Sequence, residues 1–177
     1  MGVPSIAEID GSTAEACIAA LAPLFEGAPR FLARLCSARP FGDAPTLFST
    51  VRTITRSMPE ADQLELIDAH PRLGAPPASV SAMSFVEQGY DRESADRTAA
   101  DAEAERLWVA GELARLNAAY EATFGFRYCV FVADRPRVSL LAEFEAALSA
   151  DRLSEIRRAL GAVVDIAQDR WTKAAVG

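Results

Sequence analysis

The amino-acid sequence predicts an all-α protein, a single-domain helical bundle of about seven to eight helices with one short extended segment. Apolar residues recur every three or four positions through most of the chain, as on the buried face of a helix. Capping and breaking residues divide the chain into pieces of helix length. The 177 residues, half of them hydrophobic, contain no Gly/Ser-rich linker, and this length is typical of one domain.

Helical spacing predicts four helices in the first part of the chain. They cover residues 16–25, 29–38, 44–57 and 59–70. Ser12 and Glu15 have the spacing of a capping box in front of the first helix, and Gly27 is placed to end it. Pro59 is well placed to begin the fourth helix, because proline is favoured in a first turn.

Beyond residue 70 the sequence predicts a loop, three longer helices and the extended segment. The helices cover residues 93–124, 139–149 and 151–172. Prolines and Gly74 make residues 71–83 a loop. Residues 127–133 are apolar on both alternating sides, which predicts an extended stretch buried on both sides. The acidic stretch 91–105 is interpreted as a solvated helix face.

Composition and charge exclude several classes of partner. The net charge of -7 and the pI of about 4.8 disfavour nucleic acid, which is bound by clustered positive charge. No apolar run approaches the roughly 20 residues of a membrane span, so no membrane partner is expected. Cys17, Cys36 and Cys129 are odd in number and widely spaced, which favours reduced, buried thiols over a disulfide framework. We therefore expect a cytoplasmic protein.

The chain contains a single histidine, His70, so any imidazole chemistry must use this residue. Its ordinary pKa near neutrality suits proton transfer. The structural alternative, which pattern alone favours, is a histidine that caps a helix end or fills the core. No metal is expected, because one histidine and scattered carboxylates lack ligand spacing.

Two further segments are candidate binding elements. Residues 84–88 place the hydroxyl of Ser84, the carboxylate of Glu87 and the carboxamide of Gln88 close together, which suits a heterocyclic amide. The alternative is that Ser84 caps a helix and Glu87 completes a capping box. Residues 124–133 could bind a planar ring through their main-chain groups, or are simply a helix stop followed by a core segment, with an inert buried thiol at Cys129.

Five segments, taken in order, resemble the 2-oxo-4-hydroxy-4-carboxy-5-ureidoimidazoline (OHCU) decarboxylase family, which forms (S)-allantoin in the last step of urate breakdown. They are Phe25-Glu26-Gly27-Ala28-Pro29-Arg30-Phe31, Arg39-Pro40-Phe41, Ala69-His70-Pro71-Arg72-Leu73-Gly74, Ser84-x-x-Glu87-Gln88, and Leu116-Asn117-x-x-Tyr120-x-x-x-Phe124-Gly125-Phe126. Each segment alone is weak evidence for the family, but five segments in the same order are specific to it.

The resemblance implies a cofactor-free, all-α enzyme, usually a homodimer, that acts on a small ureidoimidazoline. It implies that His70 is the catalytic acid. From the chemistry of the reaction, we hypothesise that Glu87 orients the imidazole or holds ureido N–H groups and that Gln88 and Ser84 bind amide edges of the ring. The substrate-binding positions that the resemblance implies are Pro71, Ser84, Phe85, Val86, Glu87, Gln88, Cys129, Val130, Phe131, Val132 and Ala133. This chain departs from the family pattern at Arg72, where many members have aspartate, and at Arg30, where an aromatic residue is common.

Two other functions remain open from the sequence. One is a non-enzymatic helical ligand-binding module, or an inactive relative that keeps the fold. The other is a decarboxylase or hydrolase of a related ureide, which the departure at Arg72 leaves open. A DNA-binding regulator is disfavoured, because no basic recognition helix is present.

Overall fold

The computed structural model describes residues 4–90 and 100–176, and this part of the chain is mostly helical. Its nine α-helices are α1 (Ile6–Gly11), α2 (Ala14–Leu21), α3 (Pro29–Ser37), α4 (Ala44–Ser57), α5 (Glu60–Ala69), α6 (Ala82–Glu87), α7 (Ala100–Phe124), α8 (Arg137–Ala147) and α9 (Arg152–Val176). Two short 3-10 helices cover Ala22–Phe25 and Pro77–Ser79. No strand occurs within the described ranges. The predicted all-α class is confirmed.

Most helix boundaries follow the local sequence signals. Helices α3, α4 and α5 lie within a residue of their predicted bounds. The start predicted at residue 93 for the longest helix lies outside the described residues, as does much of the acidic stretch 91–105, while its predicted end at Phe124 is confirmed. Residues 127–132 form no regular secondary structure and no strand, as expected for a stretch that is too short to make a sheet.

The first helical region differs from the prediction. Helix α1 has its own capping box, formed by Ser5 and Glu8, and is too short to show a clear apolar period. The Ser12–Glu15 capping box is wrong, because the Ser12 hydroxyl donates to the carbonyl of Ile9 at 2.8 Å. Thr13 is the residue whose side chain caps α2.

The described chain divides into two compact units. Of the described residues, those up to 70 and from 156 onward belong to the first unit, and those between 71 and 155 belong to the second. The single-domain organisation expected from the sequence stays a prediction. None of the described helices is both long and apolar enough to cross a membrane.

In the first unit, the Arg39-Pro40-Phe41 turn is tied to α1. The Asp10 carboxylate accepts from the main-chain N–H groups of Phe41 and Gly42, each at 2.8 Å. The Arg39 guanidinium donates to the carbonyls of Ile9 at 2.9 Å and Ser12 at 2.7 Å. This part of the sequence therefore has a structural explanation.

A disulfide in the first unit overturns the prediction of three reduced thiols. Cys17 of α2 and Cys36 of α3 are bonded, with their Cα atoms 6.0 Å apart. A separation of 19 residues gives no sign that two packed helices bring the Cα atoms within disulfide range. Cys129 lies outside the disulfide and is buried as predicted. Without the reduced-thiol argument, the cytoplasmic location stays a prediction.

An aromatic cluster forms the core of the second unit. Tyr120 contacts the rings of Phe124, Phe126, Tyr128 and Phe144, with centroids 4.5 to 5.8 Å apart. Its hydroxyl donates to the buried carboxylate of Glu155 at 2.6 Å, so the polar end of the ring is satisfied inside the core. The cluster packs the end of α7 against the residues that follow it.

Candidate active site

His70 lies at the C-terminal end of α5 and is 3% exposed. Its main-chain N–H donates to the carbonyl of Ile67 at 3.1 Å, and its ring Nδ1 lies 3.1 Å from the carbonyl oxygen of Leu66. A carbonyl only accepts, so we assign the proton to Nδ1. The ring thus fills the capping role weighed above, and Nε2 is left as the nitrogen that gains and loses a proton.

Burial is the main cause that lowers the pKa of His70 from 6.5 to about 4. The positive charge of Arg170 lowers it further, while the Leu66 carbonyl and the negative charge of Glu26 oppose the shift. The imidazole is therefore neutral at pH 7. To act as an acid, it must first take up a proton.

Arg170 and Glu26 form a buried ion pair in the same unit. The Arg170 guanidinium donates to Glu26 Oε1 and to the carbonyl of Pro23, each at 2.7 Å, and the residue is 3% exposed. Glu26 has a φ of 50° in the turn that follows the 3-10 helix. Sequence reasoning placed Glu26 in a motif without a role and missed Arg170, because nothing local distinguishes this arginine from the others.

Residues 84–88 belong to the second unit and lie within or directly after α6. Ser84 is 2% exposed and inside the helix. The expected Ser84 cap is wrong, because the hydroxyl of Ser81 accepts from the Ser84 N–H at 3.2 Å and caps the helix. Phe85 and Glu87 are half-buried, whereas Val86 is exposed.

Gln88, the residue that ends α6, is 7% exposed. Its Oε1 accepts from the main-chain N–H of Gly74 at 2.8 Å, and its Nε2 donates to the carbonyl of Arg72 at 3.2 Å. The structure thus joins two of the predicted segments, residues 84–88 and the stretch after His70. The half-buried Pro71 begins that stretch.

Residues 129–133 follow the aromatic cluster. Cys129 and Val132 are buried, Val130 and Phe131 are half-buried, and Ala133 is exposed with a φ of 51°. Arg135, which was not a predicted site residue, donates to the carbonyls of Phe131 at 2.7 Å and Val132 at 3.0 Å. The Arg135 main-chain N–H also donates to Val132, so both lone pairs of that carbonyl are used.

The two arginines that depart from the family pattern both form ion pairs. In the second unit, the exposed guanidinium of Arg72 holds both carboxylate oxygens of Glu121, at 2.5 and 2.7 Å. In the first unit, Arg30 is paired with Asp62 at 3.4 Å and Glu65 at 3.2 Å. Each arginine therefore has a structural partner within its own unit.

The helical fold and the buried imidazole at the end of α5 define an all-α protein with one candidate residue for proton transfer. Within the described ranges, no group of three or more histidine, cysteine or acidic residues is arranged to hold a metal ion. The chain belongs to the OHCU decarboxylase family, whose family model matches residues 11–172. The resemblance seen in five short segments is confirmed by this match.

Individual relatives agree with the family. The chain is 26% identical over 151 residues to a 2-oxo-4-hydroxy-4-carboxy-5-ureidoimidazoline decarboxylase of Haloferax volcanii, a match that covers 85% of this chain and 84% of that protein. Its fold is similar to a crystal structure of OHCU decarboxylase in the presence of (S)-allantoin, with a TM-score of 0.67 and 20% identity over 94% of this chain and 100% of that one. It is also similar to (S)-allantoin synthase, with a TM-score of 0.61 and 17% identity over 97% of this chain and 54% of that one.

Proposed function

We propose that this protein catalyses the cofactor-independent decarboxylation of OHCU to (S)-allantoin, the final step of urate degradation, with stereospecific protonation by His70. The observation that carries the proposal is the family match over residues 11–172. A relative named for this activity and a similar fold crystallised in the presence of (S)-allantoin support it.

The substrate itself supplies what the reaction needs. Its carboxylate is attached to a carbon next to the ring carbonyl. When the bond to the carboxylate breaks and CO2 leaves, the electron pair passes into that carbonyl as an enolate. A proton then adds to the same carbon. The enzyme must hold the carboxylate out of the ring plane, stabilise the developing charge and deliver the proton to one face.

His70 is the proposed proton donor, through Nε2. Because its pKa lies near 4 in the ligand-free protein, it needs a nearby negative charge to become protonated. The carboxylate of the bound substrate would provide that charge. It would raise the pKa of His70, as Glu26 does, and oppose the effect of Arg170. Once CO2 has left, the imidazolium gives its proton to the carbon and returns to the neutral state. Solvent replaces the proton.

The other proposed roles rest on the family resemblance and on the chemistry of the side chains. Glu87 would orient the imidazole or hold the ureido N–H groups, and Ser84 would bind an amide edge of the ring. Pro71, Phe85, Val86, Gln88 and residues 129–133 complete the proposed substrate-binding set. Within residues 129–133, the carbonyl of Val132 is already occupied by Arg135, so the main-chain contribution would come from the neighbouring groups.

Assembly and location belong to the same proposal. The family resemblance implies a homodimer that binds a small ureidoimidazoline, and we propose a cytoplasmic location beside it. Light scattering on the purified protein tests the oligomeric state. A monomer at micromolar concentration would contradict the homodimer.

The activity is tested by generating OHCU in the cuvette from urate and following the circular dichroism of allantoin. The proposal predicts formation of the (S) enantiomer well above the spontaneous, racemic background. Saturable binding of allantoin without turnover would favour the ligand-binding module. Turnover of another ureide but not OHCU would favour the altered-substrate enzyme.

A further inference from the structure

The main chain that follows His70 is held by side chains instead of by regular secondary structure. Within residues 71–75, the carbonyl of Arg72 accepts from Gln88, the carbonyl of Leu73 accepts from Asn117 at 2.9 Å, and the carbonyl of Ala75 accepts from the hydroxyl of Tyr90. Buried main-chain polar groups require partners. The main-chain N–H of Ala75 also donates to the carbonyl of Arg72, at 3.1 Å. Three side chains supply the other partners, and we call these side-chain contacts the clamp.

The carboxamide of Gln88 is largely used by the clamp. The main-chain N–H of Gly74 can only donate, so it fixes Oε1 of Gln88 on its side and turns Nε2 toward Arg72. The hydroxyl oxygen of Tyr90 lies 3.3 Å from the same Oε1. The side-chain carbonyl of Gln88 therefore faces two protein groups. One of the two N–H bonds of its side-chain amide is also occupied.

Helix α7 holds the other side of the segment. Asn117 is 6% exposed and its Nδ2 also donates to the carbonyl of Leu113 at 2.8 Å, so it connects the helix to Leu73. Gly74 has a φ of 78°, and a Cβ placed there would lie 2.7 Å from Cδ1 of Leu113. The segment therefore passes so close to α7 that a side chain at this position would force the Leu113 side chain to move.

We propose that Gln88 and Tyr90 are positioning residues that clamp the main chain of residues 71–75, and that the carboxamide of Gln88, although it belongs to the proposed substrate-binding set, serves the reaction mainly by holding this segment. The inference rests on the proposed function, because it concerns the same reaction. Tyr90 is suited to this role, since its ring is fixed by the Arg137 guanidinium at 4.3 Å and by the ring of Phe85 at 5.4 Å. The hydroxyl is thus aimed by contacts that do not involve the segment.

Three variants test the clamp. Tyr90→Phe removes one hydroxyl and keeps both ring contacts. Gln88→Met removes the carboxamide at nearly the same volume, and the double variant measures their coupling. Ser139→Ala is the matched control, because it also removes a hydroxyl that donates to a main-chain carbonyl, that of Pro136 at 2.7 Å, on the exposed first turn of α8. Each protein is measured without substrate by amide hydrogen exchange and with OHCU by steady-state kinetics.

The clamp predicts faster exchange of the Gly74 and Ala75 amides in both single variants and unchanged exchange in the control. It predicts a loss of kcat of about tenfold in Gln88→Met and severalfold in Tyr90→Phe, with KM within about twofold, because a misplaced segment costs orientation more than binding. The fold loss of kcat in the double variant should be smaller than the product of the two single fold losses, since both changes release the same segment.

Several outcomes would overturn the proposal. Unchanged exchange at residues 72–75 in Gln88→Met would show that the clamp does not hold the segment. Faster exchange with unchanged kcat would show that the clamp does not serve the reaction. A rise in KM alone would return Gln88 to direct substrate binding. If the wild-type protein has no turnover, the decarboxylase proposal fails on its own, and the exchange measurements still decide whether the clamp exists.

Discussion

Replacing His70 with asparagine should change how the stability of the protein depends on pH. His70 is 3% exposed and its pKa is lowered by burial from 6.5 to about 4 in the folded protein. As the pH falls below about 6.5, the unfolded chain binds a proton that the folded protein does not accept until the pH approaches 4. The stability that His70 contributes is therefore complete above pH 7 and is lost as the pH falls through this window.

The size of the effect follows from the two pKa values. Between pH 7 and pH 5, the free energy of unfolding of the wild type should fall by about 2 kcal/mol more than that of His70→Asn, because only the wild type carries this proton-linked term. Carboxylates with lowered pKa values, such as Glu121 beside Arg72, titrate in both proteins, so their contribution cancels in the difference. The difference between the two proteins isolates the imidazole.

Urea unfolding at pH 7, 6 and 5, monitored by circular dichroism, measures this difference. Equal pH dependence in the two proteins, within about 0.5 kcal/mol, would mean that the pKa of His70 is not lowered in the folded state. A wild type that becomes relatively more stable as the pH falls would mean a raised pKa. Either result would refute the assignment of a neutral, buried imidazole in the ligand-free protein.

Three further predictions concern neighbouring parts of the molecule. Glu26→Gln should lower the pKa of His70 further, because it removes a negative charge that raises it; the single histidine gives one imidazole Cε1–H signal to titrate by NMR, and an unchanged pKa would contradict the account. Glu87→Gln keeps shape and removes charge, so kcat should fall at least about tenfold, whereas an unchanged rate would leave Glu87 without a catalytic role. Gly74→Ala should lower the free energy of unfolding by about 2–4 kcal/mol through backbone strain and overpacking. Gly125→Ala, with a φ of 79° and open space, should show the strain alone, and equal losses in the two variants would exclude the packing term.

The parts of the fold that were predicted correctly depend on local signals. Helix α4 begins after Asp43, whose side chain accepts from the Thr46 N–H, and α5 ends at His70 before a proline. Such caps and breaks act within a few residues, so the sequence displays them directly. Helix α1 escaped prediction because its six residues are too few to show an apolar period, although its capping box was present.

The wrong predictions concern choices that depend on packing. Cys17 and Cys36 are bonded because α2 and α3 lie side by side, which their spacing does not reveal. Ser81 and Ser84 both have the chemistry of a cap, and only the structure shows that Ser81 is the one that caps α6. Local pattern cannot rank such alternatives, because each candidate satisfies the same short-range rule.

The candidate site also combines features that the local sequence indicates with features that depend on packing. The order of five short segments was enough to indicate the family, and hence His70 and residues 84–88 as candidates. The ion pair of Arg170 with Glu26 joins residues 144 positions apart, and the bond of Gln88 to Gly74 spans 14 positions across an irregular segment. These contacts set the charge near the imidazole and the shape of the main chain, and only the folded structure displays them.

The most direct test of the central claim compares wild type with His70→Asn on OHCU generated from urate, with the enantiomer of allantoin read by circular dichroism. The account predicts rapid formation of (S)-allantoin by the wild type. It predicts loss of most of the stereoselective acceleration in the variant, which should still unfold cooperatively in urea. Full stereoselective activity in His70→Asn would contradict His70 as the proton donor, and a wild type no faster than the racemic background would contradict the decarboxylase itself.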